Sequence, residues 1–359
     1  MTRRRVGQCL LLACATWLAA VPLPRGMVER VYSVGWYPHI QTVLTGWSDL
    51  VPWALLDVWL LVGSVAGTWA VWRVFRAQPG RPASRIRTAV RIGWGSAVAA
   101  AALFLVFLLC WGFNYQRQPL EQRLAFDDSR VTGPKVLALA ERATEALNAY
   151  YRDAYATPWP DWKALPHVMT PAFHQATAII DLRWNPVAGQ PKPTVLAPYF
   201  RWAGIAGLTN PFGLEVLPSP DALPFERPGV MAHEWAHLAG FAHEAEAGLV
   251  GWLTCMHANP QAAYSGWFSV WPSLVAAVPA TDRTRLLEQL SEGPRADWQA
   301  VIERNTHAIG AVRTIAWRGY DAYLRSQRVQ EGVASYGGVV RLLAGADPAI
   351  VDSLPLPSR

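Results

Sequence analysis

Residues Met231–Gly248 read MAHEWAHLAGFAHEAEAG, and the stretch opens with an HExxH motif at His233–His237. Residues four apart lie on one face of a helix, so His233 and His237 can approach the same metal ion. Glu234 adjoins the first histidine and can reach a water on that ion. A catalytic zinc ion takes three protein ligands and keeps one position open. The motif therefore predicts zinc bound by His233 and His237, with Glu234 as the general base.

The third ligand is expected just after this helix, because Gly240 can end it. Three side chains able to bind zinc follow, namely His243, Glu244 and Glu246. With His243 the string reads HExxHxxGxxH, the metzincin pattern, although Met256, the nearest downstream methionine, lies in an apolar helical run rather than a turn. Glu244 and Glu246 are two apart, so they cannot both face the ion from one helix. The spacing alone leaves all three open.

Apolar runs dominate the first third of the chain. The protein is 52% hydrophobic and only 16% charged, and it contains 19 tryptophans, a residue enriched at membrane interfaces. About 20 apolar residues suffice to span a bilayer. We predict three transmembrane helices, at about residues 6–22, 53–75 and 92–113. The first run has a second interpretation, a cleaved signal peptide. Val28–Leu50 is expected to be an interfacial loop that can include an amphipathic piece.

The arginines indicate the topology of this anchor. They concentrate at Thr2–Arg5 and Arg73–Arg91, beside the apolar runs, and the positive-inside rule places both segments in the cytoplasm. Residues 1–114 are then a membrane anchor, and residues 115–359 form one extracytoplasmic domain. This pattern accounts for the net charge of +6, so no nucleic-acid partner is expected.

The second domain is predicted to be mainly α-helical. Apolar positions recur at helical spacing in Gly229–Ala239, in Glu244–Met256 and in one long helix from Trp298 to Gln327. Leu214–Leu217 is predicted to be a strand, where zinc peptidases keep the edge strand that pairs with substrate backbone. The fold class expected is thus an α-helical anchor plus a mainly α, zincin-like α+β extracytoplasmic domain.

Two resemblances bear on the third ligand. Glu244–Gly248 resembles the E-x-x-A-[DN] helix of glutamate-ligated zinc peptidases, in which the first glutamate binds zinc. Nearly the whole chain is similar to a bacterial family, domain-of-unknown-function family 3810. That similarity implies a multi-pass protein of the bacterial cytoplasmic (inner) membrane, with zinc bound by His233, His237 and Glu244. The matching segments are Trp111–Tyr115, Gly204–Gly207, Asn210–Phe212, Glu215, His233–Ala247, Tyr264–Gly266, Tyr320–Leu324 and Ser335–Tyr336.

Two positions depart from the family pattern. The family usually has Asn where this chain has Gly248, and an Asn four residues after the ligand Glu244 could orient a ligand histidine. The family also usually lacks a histidine at position 243. The departure at Gly248 leaves open which side chain orients the ligands.

Four further residues are weaker candidates. Tyr264 and His257 follow the ligand helix and could reach an oxyanion, although packing or surface roles are expected for both. Glu215 lies in the predicted strand and could bind a substrate amine. Asn210 is expected to cap a turn before Pro211.

The sequence thus predicts a membrane-anchored zinc metallopeptidase that hydrolyses peptide or amide bonds on the extracytoplasmic side. Its expected partners are the lipid bilayer and a peptide or protein substrate in the cell envelope. The alternative is a non-catalytic zinc-containing scaffold that binds a partner, in which a fourth protein ligand would close the site. An intramembrane protease is disfavoured, because the motif lies far along the chain from the last predicted span.

Overall fold

A computed structural model describes residues 3–76 and 82–351, and within them the chain is mostly helical. Residues 77–81 of the predicted cytoplasmic arginine loop and residues 352–359 lie outside the described residues. The N-terminal elements are α1 (Arg3–Ala20), α2 (Arg25–Met27), a π-helical stretch (Val28–Trp36), α3 (Tyr37–Asp49), α4 (Leu55–Arg76) and α5 (Pro82–Cys110).

Among the described residues, two helical stretches are long and apolar enough to cross a membrane. They are Leu55–Arg73 in α4 and Ile86–Cys110 in α5, close to the second and third predicted spans. Helix α1 qualifies only together with Arg25–Asp49, from which it is bent by 111°. The chain therefore has two candidate spans, or three if the bent pair is one span, which is consistent with membrane association.

The expectation of a loop at Val28–Leu50 is wrong, because Val28–Trp36 and Tyr37–Asp49 are helical. The amphipathic piece that the sequence allowed is confirmed, since one face of α3 is buried. Tyr37, Gln41, Thr45 and Ser48 recur at helical spacing along α3, and all four are buried. Buried polar groups need hydrogen-bond partners. Here the partners come from distant parts of the chain: Tyr37 donates to the Leu238 carbonyl at 2.8 Å. Helix α3 therefore packs into the C-terminal part of the protein. The domain boundary at residue 114 stays a prediction.

The C-terminal part holds the remaining helices and both strands. These are α6 (Gly133–Ala154), α7 (Leu165–Ile179), α8 (Ala197–Ala203), β1 (Gly207–Asn210), β2 (Glu215–Pro218), α9 (Arg227–Leu238), α10 (Glu244–Met256), α11 (Pro260–Ala277), α12 (Ala280–Gln289), α13 (Glu292–Thr306), α14 (Gly310–Ser326), α15 (Gly338–Gly345) and α16 (Pro348–Val351). Helix α10 has the predicted bounds, and α9 lies within two residues of its predicted bounds.

The single long helix predicted from Trp298 to Gln327 is wrong. Helix α13 ends at Thr306, Ile309 has extended backbone, and helix α14 starts at the next residue. The Ile309 amide donates at 3.0 Å to the carbonyl of Trp202, which lies in the last turn of α8. This long-range bond fixes the break, and the new direction of α14 carries Tyr320 towards α10.

Strands β1 and β2 form an antiparallel pair in which Gly207 faces Pro218 and Asn210 faces Glu215. The prediction of a strand at Leu214–Leu217 is confirmed within one residue. The free edge belongs to β1, however, because the Val216 carbonyl of β2 already accepts from the Lys192 amide at 2.9 Å.

The register also shows which backbone groups of β1 form no hydrogen bonds with β2. The Ser219 amide donates to the Ala206 carbonyl at 2.8 Å, so this pair is a hydrogen-bonded one. Bonded and non-bonded pairs alternate in an antiparallel ladder. The N–H and C=O groups of Gly207 and Thr209 therefore point away from β2.

Helix α10 lies at the centre of the fold and packs against α7, α9 and α11. Four fully buried tryptophans fill the core around these helices: Trp235, Trp252, Trp267 and Trp271. Burying a large apolar side chain contributes about 1.5–3 kcal/mol. Tryptophan in this chain thus serves the core as well as the apolar helices, and it fixes α9 and α10 as a rigid pair.

Glu215 on β2 joins the N-terminal segment to the sheet. Its fully buried carboxylate accepts hydrogen bonds from the backbone amides of Leu55 and Leu56 at 2.9 and 2.8 Å. It also pairs with the buried Lys192 ammonium at 3.3 Å. Glu215 is therefore committed to structure, and the proposed role in binding a substrate amine is wrong.

Replacing Glu215 by glutamine is expected to lower the free energy of unfolding by about 1–3 kcal/mol, because the amide keeps the shape but cannot accept from all these donors, and the buried Lys192 ammonium loses its carboxylate partner. Thermal unfolding of the purified chain measures the effect. The matched control, Glu288→Gln on exposed helix α12, should be neutral. Equal melting temperatures for the two variants would contradict this role.

Candidate metal centre

The HExxH helix α9 ends in a glycine turn that sends the chain back across it. Gly240 has a φ of +84°. The Phe241 amide donates to the Ala236 carbonyl at 3.1 Å, and the Gly240 amide donates to the His237 carbonyl at 3.0 Å. This is the Schellman arrangement, which favours glycine at the left-handed position. Helix α10 then begins at Glu244, next to the histidines.

Side chains from the N-terminal half hold the end of α9. The last carbonyl groups of a helix lack partners within it. Trp111, one residue after α5, donates its indole N–H to the His237 carbonyl at 3.0 Å. Arg117 donates to the Gly240 carbonyl at 3.1 Å, and Tyr37 holds the Leu238 carbonyl. The motif, distant from the apolar helices in sequence, is therefore attached directly to the end of α5.

His233, His237 and Glu244 offer ligand atoms that all lie within 4.8 Å of one another. Glu244 Oε2 is 3.1 Å from His233 Nε2 and 3.5 Å from His237 Nε2. Zinc bonds of about 2.0–2.2 Å in a tetrahedron give ligand–ligand distances of about 3.4 Å. These residues therefore fit a zinc ion in donor type, number and spacing.

Neighbouring groups orient two of these side chains. His237 Nδ1 lies 2.8 Å from the Phe241 carbonyl, which makes Nδ1 the donor and leaves the Nε2 lone pair facing the cluster. Glu244 Oε1 accepts a hydrogen bond from the Tyr320 hydroxyl of α14, so Oε2 alone faces the histidines. Both contacts favour a fixed metal-binding geometry.

Position 248 supplies no polar group to the cluster, because it is a glycine. A Cβ atom there would lie 3.4 Å from Val339 of α15, which is an ordinary van der Waals contact. The polar partners of Glu244 come instead from the tyrosines Tyr320 and Tyr336. The polar groups that orient Glu244 are therefore distant from it in sequence.

The electrostatics of the cluster favour an ionised carboxylate. Burial alone would lower the pKa of His237, but the Glu244 carboxylate outweighs it and raises that pKa to about 9. Burial would raise the pKa of Glu244, yet His237 and His233 hold it well below its usual range. The buried negative charge of Glu244 is thus matched to a cation, and metal binding would displace the His237 proton.

Glu234 lies between the histidines and β1. The Thr209 hydroxyl of β1 donates to Glu234 Oε2 at 2.7 Å. A Cβ atom at Gly207 would lie only 2.7 Å from Glu234 Oε1, so glycine is needed there for the carboxylate to lie against the strand. Glu234 therefore sits beside the free backbone groups of β1, where an extended peptide could pair.

The two rival third ligands point elsewhere. His243 Nε2 lies 3.3 Å from the Tyr115 carbonyl. Glu246 accepts from the Leu120 amide at 2.9 Å. Of the three candidates for third ligand, His243, Glu244 and Glu246, only Glu244 lies beside His233 and His237.

The weaker candidates have structural roles. The Tyr264 hydroxyl donates to buried Asp297 at 2.5 Å, and Tyr264 packs in the core rather than against the histidines. His257 lies at the C-terminal end of α10, away from the Glu244 end. Asn210 accepts from the Phe212 amide at 3.1 Å, so it caps the turn as expected.

The roles of Thr209, Tyr320 and Tyr336 were not predicted from the sequence. Tyr320 and Tyr336 occur in segments that match the family, but nothing in their spacing connects them with Glu244, 76 residues from Tyr320. Thr209 follows the Gly-rich turn before β1, and its contact with Glu234 depends on how β1 packs on α9.

Replacing Tyr320 by phenylalanine is expected to weaken zinc binding by about 10–100-fold, because groups that orient a metal ligand typically contribute that much. Competition with a zinc chelator on the full chain measures the affinity. Tyr199→Phe on α8 removes a hydroxyl from a partly exposed tyrosine of the same cavity and should bind zinc like the parent. Equal affinities for Tyr320→Phe and the parent would contradict the orienting role.

Comparison with known proteins gives one match. The family described as protein of unknown function (DUF3810) matches residues 32–344. No curated protein and no solved structure matches the chain. The matched region contains α3, both candidate spans, the hairpin and every residue of the histidine–glutamate cluster. The chain therefore belongs to the DUF3810 family.

Proposed function

We propose that this protein is a membrane-anchored, zinc-dependent metallopeptidase that hydrolyses peptide or amide bonds. The observation that carries the proposal is the cluster of His233, His237 and Glu244 with Glu234 beside it. Three protein ligands leave a fourth position of a tetrahedral ion open, as in catalytic zinc sites. A partner-binding scaffold with structural zinc would need a fourth protein ligand, and His243 and Glu246 are engaged with backbone groups elsewhere.

The chemistry follows from the side chains around the cluster. Zinc bound at such a site lowers the pKa of a water molecule and polarises a substrate carbonyl. Glu234 accepts a proton from the attacking water and passes it to the leaving amine. The water oxygen bonds to the carbonyl carbon, the C–N bond breaks, and an acid and an amine result. Thr209 holds the Glu234 carboxylate in place for both transfers.

Strand β1 supports a peptide as the substrate. The free N–H and C=O groups of Gly207 and Thr209 can pair with an extended chain, which is β-strand addition. Such a chain would pass beside Glu234, since Gly207 lies against its carboxylate. An HExxH helix, a substrate-pairing edge strand and a glutamate on the following helix together support a zincin-like arrangement, with β1 in the role predicted for Leu214–Leu217.

The location proposed is the bacterial cytoplasmic membrane. Helices α4 and α5 are the spans, α1 is a third, and the arginines around the α4–α5 connection face the cytoplasm by the positive-inside rule. Trp111 follows α5 and holds α9, so the cluster lies at the extracytoplasmic surface of the membrane.

Zinc analysis and peptide turnover on the same preparation test the proposal. The full chain, purified in detergent, is expected to contain about one zinc ion per chain and to cleave members of a fluorogenic peptide library. Chelation should stop the cleavage, and added zinc should restore it. Stoichiometric zinc without turnover of any peptide would favour the non-catalytic scaffold instead.

A further inference from the structure

A cavity of about 1290 Å³ opens in front of the histidine–glutamate cluster. The cluster and Glu234 form one end of its lining, and strand β1 contributes Gly207–Thr209. The rest of the wall is mostly apolar and comes from α5, α8 and α14, together with parts of α10 and α11. Such a cavity has a polar, metal-binding end and a long apolar wall. It therefore suits a ligand with one polar and one apolar part.

One wall of this cavity belongs to a candidate membrane span. Ala100, Leu103, Phe104 and Phe107 of α5 line it, and all lie within Ile86–Cys110. Ala100 precedes Cys110 by ten residues, which at 1.5 Å per residue is about 15 Å along the helix. The hydrocarbon core of a bilayer is about 30 Å thick. The cavity therefore runs along about one leaflet of the membrane.

The facing wall is apolar and exposed at its rim. Ile315 of α14 is 72% exposed, and Tyr199 of α8 is 39% exposed. Both line the cavity. Exposed apolar surface of this kind marks a contact with a partner or a membrane. Leu103 of the candidate span α5 is 52% exposed and lines the same cavity. The rim therefore fits a position against the bilayer, and the cavity would open sideways into one leaflet.

We propose that the substrate is a membrane-anchored peptide, which enters this cavity from the bilayer. Its apolar segment lies between α5 and α14, and the bond to be cut, next to that segment, reaches the histidine–glutamate cluster at the membrane surface. This proposal rests on the proposed peptidase function and specifies its substrate class. Cleavage is the hydrolysis described above, so it needs water as the only co-reactant.

Two features favour a peptide over a lipid as the occupant. Strand β1 presents free backbone N–H and C=O groups on the way to Glu234, and these pair with a peptide backbone but have no counterpart in an acyl chain. The polar end of the cavity carries Glu234 and the metal-binding cluster. These groups suit the hydrolysis of a peptide bond, whereas the acyl chain of a lipid offers no bond for them to cleave. Occupation by lipid alone becomes an outcome of the test.

The test uses the full chain in lipid nanodiscs with zinc, in the inactive Glu234→Gln form so that binding does not depend on turnover. The probe is a synthetic peptide with a polar half and an apolar Leu/Ala run of about 18 residues that carries a benzophenone. Ala100→Trp fills the cavity and should weaken photo-cross-linking of the probe about tenfold, equal to about 1.4 kcal/mol. Ala99→Trp, also exposed on α5 but absent from the cavity wall, should cross-link like the parent.

A second pair of variants keeps the test conclusive if Ala100→Trp fails to fold. Ile315→Glu on α14 places a charge in the cavity. Its control, Ile302→Glu, places a charge on the exposed surface of α13, outside the cavity wall. Only Ile315→Glu should lose the cross-link. If neither Ala100→Trp nor Ile315→Glu differs from its control, the apolar segment does not occupy the cavity, and lipid alone fills it.

Cleavage measurements on active protein separate this inference from the peptidase function. Cross-linking that depends on Ala100 and Ile315, without cleavage of any peptide, would support the binding site and contradict the peptidase. Cleavage of a fully polar peptide as fast as the anchored one, unaffected by Ala100→Trp, would support the peptidase and overturn the membrane-anchored substrate.

Discussion

Replacing Glu234 by glutamine is expected to slow peptide hydrolysis by about 10²–10⁴-fold, the usual contribution of a general acid–base group. Glutamine keeps the shape of the side chain and can still contact the Thr209 hydroxyl, but it cannot accept the proton of the attacking water. Because the proposed zinc ligands are His233, His237 and Glu244, and not Glu234, zinc content should not change. The comparison needs kcat and zinc per chain on the same preparation.

Glu288→Gln, on the exposed surface of α12, is the matched control and should keep full activity. A Glu234→Gln variant that retains both zinc and the parental rate would show that another group acts as the base. Loss of zinc together with activity would instead make Glu234 part of the metal-binding set.

Replacing Glu244 by alanine is expected to weaken zinc binding several hundredfold. Protein-bound structural zinc is held with about 10–16 kcal/mol by four ligands, so one ligand contributes about 2.5–4 kcal/mol. In this chain Glu244 Oε2 alone completes the set with His233 and His237. Zinc titration in the presence of a competing chelator measures the change.

Two neighbouring variants make this test specific, because they remove the rival third ligands. His243→Ala should keep the parental zinc affinity, since His243 Nε2 faces the Tyr115 carbonyl. Glu246→Ala should lower stability, through loss of its bond to Leu120, but not zinc affinity. Zinc loss in His243→Ala with zinc retained in Glu244→Ala would restore the metzincin pattern.

Local signals in the sequence predicted that His233, His237 and Glu244 lie together, as they do in the structure. Histidines four apart on a helix, a glycine that ends it and a glutamate at the start of the next helix are all set by neighbouring residues. The bounds of α10 and the position of β2 followed from the same local patterns. The apolar runs of α4 and α5 were recognisable by length alone.

Contacts between distant residues could not be predicted in this way. Tyr37 and the Leu238 carbonyl are 201 residues apart, and the buried polar face of α3 looked like an interfacial segment for that reason. The break before α14 depends on the hydrogen bond from the Ile309 amide to the Trp202 carbonyl. The hydrogen bond from Tyr320 to Glu244 follows from that break, so it could not be predicted from the sequence. Sequence distance also suggested that the motif lies far from the last span, whereas Trp111 attaches α9 to the end of α5.

Anomalous X-ray scattering at the zinc edge, from crystals of the full chain, tests whether His233, His237 and Glu244 bind zinc with a position left open. We expect one zinc peak, with His233 and His237 nitrogens and one Glu244 oxygen at about 2.0–2.2 Å and a fourth position not filled by protein. No zinc peak at these residues, or a fourth protein ligand that closes the site, would contradict it.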